Sequence, residues 1–316
     1  MIINSSNLNE KKIHKLITSN FDKLAPAYYK LLSEWMNSSY EKLQDIDKYR
    51  ILLYLINKDF EYYIKNELVE SYDNFFLYDK SLELDHINIK EISNILRIPK
   101  ESTRRKIIHL EKLGIIQKIK KKVYIDRSAY NLIQPKVSLK NLCALLTLIS
   151  EICKKENLIN KKLEFFEISN LLKENFTYCW FFFYKFIFIL TQRWKQHVGD
   201  LEIFSVGMVI VCHSVVNKSY HGTGLNFAEL DKDKKNNEES GVNAMSISEI
   251  TNIPRPTVVR KLNYLLKNKY ISINKKKLFT VNIKDKSLND IITIQENNIL
   301  SLTDLVLKIF NKIDIK

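Results

Sequence analysis

Apolar residues recur at three- and four-residue spacing through most of the chain, the period of one buried helix face. Ile89, Ile92, Ile95 and Leu96 predict a short amphipathic helix over residues 89–96. Arg97-Ile98-Pro99 interrupts it, because the residue before a proline is pushed out of the α region while proline itself suits the first turn of a new helix. A second helix is predicted from about Lys100 to Leu113, burying Thr103, Ile107 and Leu110, with Gly114 as a left-handed stop. Two short β-prone runs follow, residues 115–119 and 123–125, around a lysine tip that lacks an Asn-Gly or Asp-Gly turn. Long helical patterns cover residues 139–154, 176–190 and 289–312. The middle one, FTYCWFFFYKFIFIL, is shorter than the ~20 residues of a membrane span and is interrupted by Lys185, so a helix buried on most sides is expected.

The same pattern occurs twice. Residues 86–126 align without a gap on residues 241–281 at a constant offset of 155 (254 − 99), with 14 of 41 positions identical. The matches include Ile92/Ile247, Ser93/Ser248, Ile98/Ile253, Pro99/Pro254, Arg105/Arg260, Lys106/Lys261, Leu110/Leu265 and the triplets Lys120–Lys122 and Lys275–Lys277. In the second copy Val258, Leu262 and Leu265 take the buried helical positions, residues 271–273 and 278–281 form the β-prone pair, and Asn268 is the expected left-handed stop. The offset persists upstream, where Ile13, Leu16, Phe21, Tyr29 and Lys30 fall on Ile168, Leu171, Phe176, Tyr184 and Lys185. Two halves are therefore expected, residues 1–156 and 157–316, joined at the polar stretch 157–162.

Two helices joined by a tight turn and followed by a basic hairpin describe a winged helix-turn-helix, expected at about residues 46–127 and 201–282. IPRPTVVRKLNYL (residues 253–265) and IPKESTRRKIIHLEKLGII (residues 98–116) resemble the recognition helix of MarR-family regulators, with the IclR-type module a close second. The first copy departs at Glu101, where the family often has proline. MarR proteins are typically homodimers with interlocked terminal helices. The resemblance therefore implies a mainly α fold in which tandem winged helices and flanking long helices pack as a covalent pseudo-dimer, a monomer acting as a pair.

Composition sharpens this. Six glycines and five prolines in 316 residues argue against a turn-rich sandwich or barrel. The net charge is +14, and the windows 97–127 and 252–282 carry +8 each, leaving −2 for the rest of the chain. Charge concentrated at one place in both copies points to a polyanion, here double-stranded DNA.

A recognition helix reads base edges with its first two turns. The expected base-reading residues are Lys100, Glu101, Ser102, Arg104 and Arg105 in one copy, and Arg255, Pro256, Thr257, Val259 and Arg260 in the other. Arg105 and Arg260 are the candidates for guanine, and Glu101 either accepts from a cytosine amino group or serves the helix dipole. Lys106, Lys118, Lys120, Lys121, Lys122, Lys261, Lys275, Lys276 and Lys277 are expected on phosphates. His109, on the first recognition helix and replaced by Tyr264 in the second, is expected to pack or touch the DNA backbone. The faces differ at four of five reading positions, which predicts an imperfect palindrome.

No catalytic constellation, metal set or cofactor is expected. The His-Gly-Thr-Gly at 221–224 lacks the strand and helix of a phosphate loop, and the four cysteines are spaced as buried reduced thiols. MIINSSNLNEKKIHKL carries no apolar signal core, so a cytoplasmic protein without a membrane partner is expected. Residues 217–243 read as a solvated loop, and helix 176–190 as the packing element between the halves, or the wall of a small-molecule effector pocket there. The alternatives to a transcriptional regulator are a plasmid-type replication initiator and a winged-helix scaffold for protein, the latter disfavoured by the +8 on each unit.

Overall fold

The computed structural model describes residues 8–77, 82–84, 87–119, 122–126, 129–216, 241–282 and 287–314. It is mainly helical. The order is α1 (Glu10–Ser19), α2 (Phe21–Leu43), α3 (Ile46–Lys65), α4 (Tyr72–Leu77), β1 (Leu82–Leu84), α5 (Ile89–Leu96), α6 (Lys100–Lys112), β2 (Ile116–Ile119), β3 (Lys122–Ile125), α7 (Ala129–Ile133) and α8 (Lys136–Lys155). Then come α9 (Phe165–Glu174), α10 (Phe176–Val198), α11 (Leu201–Val216), α12 (Ala244–Thr251), α13 (Arg255–Lys267), β4 (Ile271–Ile273), β5 (Phe279–Val281) and α14 (Ser287–Asp314).

Helix boundaries recur at the offset of 155. The pairs α1/α9, α2/α10, α5/α12 and α6/α13 each begin and end 155 residues apart. Positive φ recurs too, at Gln44 and Gly199, Arg97 and Asn252, and Gly114 and Lys269. The residue types differ within each pair, so the positive φ follows from the surrounding structure as much as from local preference. The second copy's helix stop is Lys269 at φ 59°, not the expected Asn268, whose φ is −87°. Lys269 N donates to Leu266 O and Tyr270 N to Leu265 O, as Gly114 N and Ile115 N do to Glu111 O and Leu110 O.

Packing between the halves is reciprocal. α2 lies against α11 and α10 against α3; α1 lies against α14 and α9 against α8. Reciprocal contacts of this kind are those of a two-fold interface. α10 lies at the centre: Phe176 meets Phe60, Phe75 and Phe76 of the first half, and Tyr184 stacks on Phe60 at 6.1 Å between centroids. Phe60, Phe176, Trp180 and Phe183 are fully buried. No helix among the described residues is long and apolar enough to cross a membrane.

Some elements differ from expectation. β1 adds a third strand to the first hairpin, pairing antiparallel with β3 in the order β1-β3-β2. The second hairpin, β4-β5, is extended only by a bridge from Val242 to Phe279. Ile95 and its counterpart Ile250 are 41% and 48% exposed and do not belong to the core. The stretch 157–162 is not a plain solvated linker, because Ile159 is buried. All four cysteines are free; burial pushes Cys143 to about 11 and Cys153, Cys179 and Cys212 to about 12. Of the loop 217–243, residues 217–240, including the His-Gly-Thr-Gly, lie outside the described residues.

Candidate nucleic-acid interface

Each basic unit is held by the same local chemistry. Asn88 caps α5 through Glu91 N at 3.1 Å, and Asn243 caps α12 through Ser246 N at 2.9 Å. The turn that follows is closed by a serine hydroxyl, Ser93 Oγ to Ile98 O and Ser248 Oγ to Ile253 O, both at 2.7 Å. Pro99 and Pro254 then precede α6 and α13 with φ −52° in both. Thr103, Ile107 and Leu110 bury one face of α6, and Val258, Leu262 and Leu265 the same face of α13. The opposite face is left to solvent.

That face carries the sequence-predicted reading set at matching exposure. Lys100, Glu101, Arg104 and Arg105 are exposed and Ser102 half-buried; Arg255, Pro256, Val259 and Arg260 are exposed and Thr257 half-buried. Arg105 Nε donates to Glu101 Oε1 at 3.3 Å, an exposed pair one helical turn apart. His109 and Tyr264 are also exposed, which places His109 on the surface and not in packing.

Lys106 and Lys261 leave the predicted phosphate set. Lys106 pairs with Asp45, and Lys261, with a side chain only 10% exposed, pairs with Asp200 and with Glu202 at 3.2 Å. Position 106 lies on the edge between the buried and solvent faces of its helix, where a long chain reaches inward to an acceptor. Both aspartates do double duty. Asp45 Oδ1 caps α3 through Lys48 N at 3.0 Å and Asp200 Oδ1 caps α11 through Ile203 N at 2.8 Å, while each Oδ2 receives its lysine. Asp45 and Asp200 are themselves 155 apart and lie outside the two matching stretches 86–126 and 241–281.

The anchor region also holds a bridge between halves. Asp47 of α3 accepts from Arg50 Nη1 at 2.9 Å and from Lys195 of α10. Burial acts to raise the Asp47 carboxyl, and Arg50 and Lys195 overcome it, holding the group below its ordinary value. Arg50 is fully buried, and its burial lowers its own pKa.

The hairpins β2-β3 and β4-β5 differ in detail. In the second, Asn274 Oδ1 accepts from Lys276 N and Leu278 N, both at 3.0 Å, so an Asx turn presents exposed Lys275, Lys276 and Lys277 at the tip. In the first, Lys122 is paired with Glu83 of β1, which reduces its share in any outward field. Lys120, Lys121 and the side chain of Lys118 lie outside the described residues.

An apolar cavity of about 80 Å³ lies under the second wing, lined among others by Tyr29 of the first half, Trp194, Gly207, Leu265, Ile271 and Gln295. Leu52 stands at the first-half position equivalent to Gly207. Compared with family models, curated proteins and solved structures, the chain matches none.

Proposed function

We propose that the chain is a sequence-specific double-stranded DNA-binding transcriptional regulator of the cytoplasm, built as two MarR-like winged helix-turn-helix halves, residues 1–156 and 157–316, acting as a covalent pseudo-dimer. The observation that carries this reading is the pairing of place and charge. Two windows of +8 sit on helices that start and stop 155 residues apart, are anchored by the same Lys–Asp pair, and expose the same four positions with a half-buried fifth. A basic face that only solubilised the protein has no need of that registry. α6 and α13 would enter successive major grooves, with half-sites about one helical turn, ~10 base pairs, apart. Lys275–Lys277 would lie along phosphates and set affinity and salt dependence.

Selection of bound fragments from random duplexes, followed by titration at several salt concentrations, tests the reading. The expected motif is an imperfect palindrome, and each phosphate-contacting lysine of 275–277 changed to alanine should reduce the log–log salt slope by about one. A strict palindrome would contradict the differing faces. Binding without salt dependence would contradict the DNA reading itself.

A further inference from the structure

The two reading faces are equivalent in position but not in chemistry. Arg104 in the first stands where the second has Val259, and Glu101 where the second has Pro256. Arg105 is already engaged: its Nε is bonded to Glu101 Oε1 at 3.3 Å, with side chains 78% and 61% exposed. Arg260 has no carboxylate one turn earlier and no ion-pair partner among the described residues. Val259, an apolar side chain 41% exposed, stands between Arg255 and Arg260 on the solvent-facing side of its helix.

We infer that the two units divide the work of recognition: the Glu101–Arg105 pair makes the first unit a selective reader of a C·G-containing half-site, while Val259 and Arg260 make the second a more permissive reader of a half-site containing thymine. This rests on the DNA reading above. Glu101 offers only acceptor oxygens, and in the major groove guanine presents N7 and O6, also acceptors, whereas cytosine presents an amino donor. A carboxylate at the reading surface therefore rewards cytosine and penalises guanine opposite it, and everywhere it repels phosphate. That is discrimination by penalty against wrong sites. Its bond to Nε leaves both Nη groups of Arg105 available for a neighbouring guanine, so Glu101 and Arg105 would act together on adjacent base pairs. The second face carries no acidic group and therefore no such penalty. Its branched apolar side chain complements the thymine methyl, a contact whose loss costs little.

The two assignments are separable by measuring sequence preference in each half-site for the wild-type chain, Glu101→Ala and Val259→Ser. Both positions are exposed, and an unchanged thermal midpoint serves as the control for folding. Glu101→Ala is expected to lower discrimination at one position of one half-site by about tenfold or more, with unrelated duplexes bound as tightly or more tightly. Val259→Ser should weaken the thymine preference in the other half-site only, by a smaller factor. Salt-dependent DNA binding with both profiles unchanged would overturn the division of labour and leave the DNA reading standing. Failure of the wild-type chain to bind any duplex would overturn both.

Discussion

At the scale of single residues, the carboxylates of Asp45 and Asp200 couple a helix cap to the placement of a second helix, α6 or α13. One oxygen caps the helix and the other receives the lysine, so two substitutions separate the roles. Asp45→Asn keeps an acceptor for Lys48 N but discharges the pair, and is expected to cost about 1 kcal/mol. Asp45→Ala removes both and should cost about 2 kcal/mol in chemical denaturation. Equal losses would mean that the ion pair contributes nothing. Asp59, on α3, carries a pH dependence, because burial raises its carboxyl to about 6. Its pKa in the unfolded chain is near 3.9, so the native state holds more protons between pH ~4 and ~6. Stability from this group is therefore present at low pH and lost as pH rises through that window. Asp59→Asn should stabilise the protein by about 2 kcal/mol at pH 7, by almost nothing at pH 3, and flatten the profile between them.

At the scale of elements, the repeated unit shows what was legible in the sequence and what was not. Helices 89–96 and 100–112, and their second copies, follow from apolar spacing and from Pro99 and Pro254, and the structure places them within a residue of the expected bounds. The stop of α13 was misplaced because Asn tolerates left-handed backbone better than Lys, and a local preference decided the reading. The fold decides otherwise: the repeated hydrogen bonds of the turn put the left-handed residue at 269 whatever its type. Lys269→Gly should consequently raise stability by about 0.5–1 kcal/mol, the relief of left-handed strain less the entropy a glycine adds to the unfolded chain. Gly114→Ala should lower it by a similar amount. β1 escaped notice because three residues carry too little periodicity to be read, and it exists through its pairing with β3. Lys106 and Lys261 were assigned to phosphate from charge alone; their partners lie 61 residues upstream, where only tertiary packing brings them within reach.

At the scale of the whole molecule, the reciprocal packing makes the halves interdependent. The apolar faces of α2 and α10 are covered by α11 and α3 of the opposite half, and α1 and α9 dock on the opposite terminal helices. Each half covers part of its apolar surface with the other, so the intact chain should unfold in one transition with equal calorimetric and van't Hoff enthalpies. A chain cut between residues 156 and 157 tests the same point more directly. Self-pairing of fragment 1–156 would resemble the proposed pseudo-dimer, but it meets an electrostatic obstacle. The first-half position equivalent to Lys195 is Tyr40 (195 − 155), so a 1–156 homodimer would lose the Lys195–Asp47 bridge and leave Asp47 to Arg50, with Lys106 nearby. Self-pairing therefore forfeits one largely buried ion pair that the mixed pairing keeps, which favours the mixed pairing. Co-expressed fragments 1–156 and 157–316 should accordingly co-purify as a one-to-one complex, whereas 1–156 alone should aggregate or form a less stable dimer. Lys195→Tyr in the second fragment should erase that preference, and sedimentation of mixed and separate fragments would read the difference. Monomeric, cooperatively folded fragments would show that the reciprocal helix contacts are dispensable.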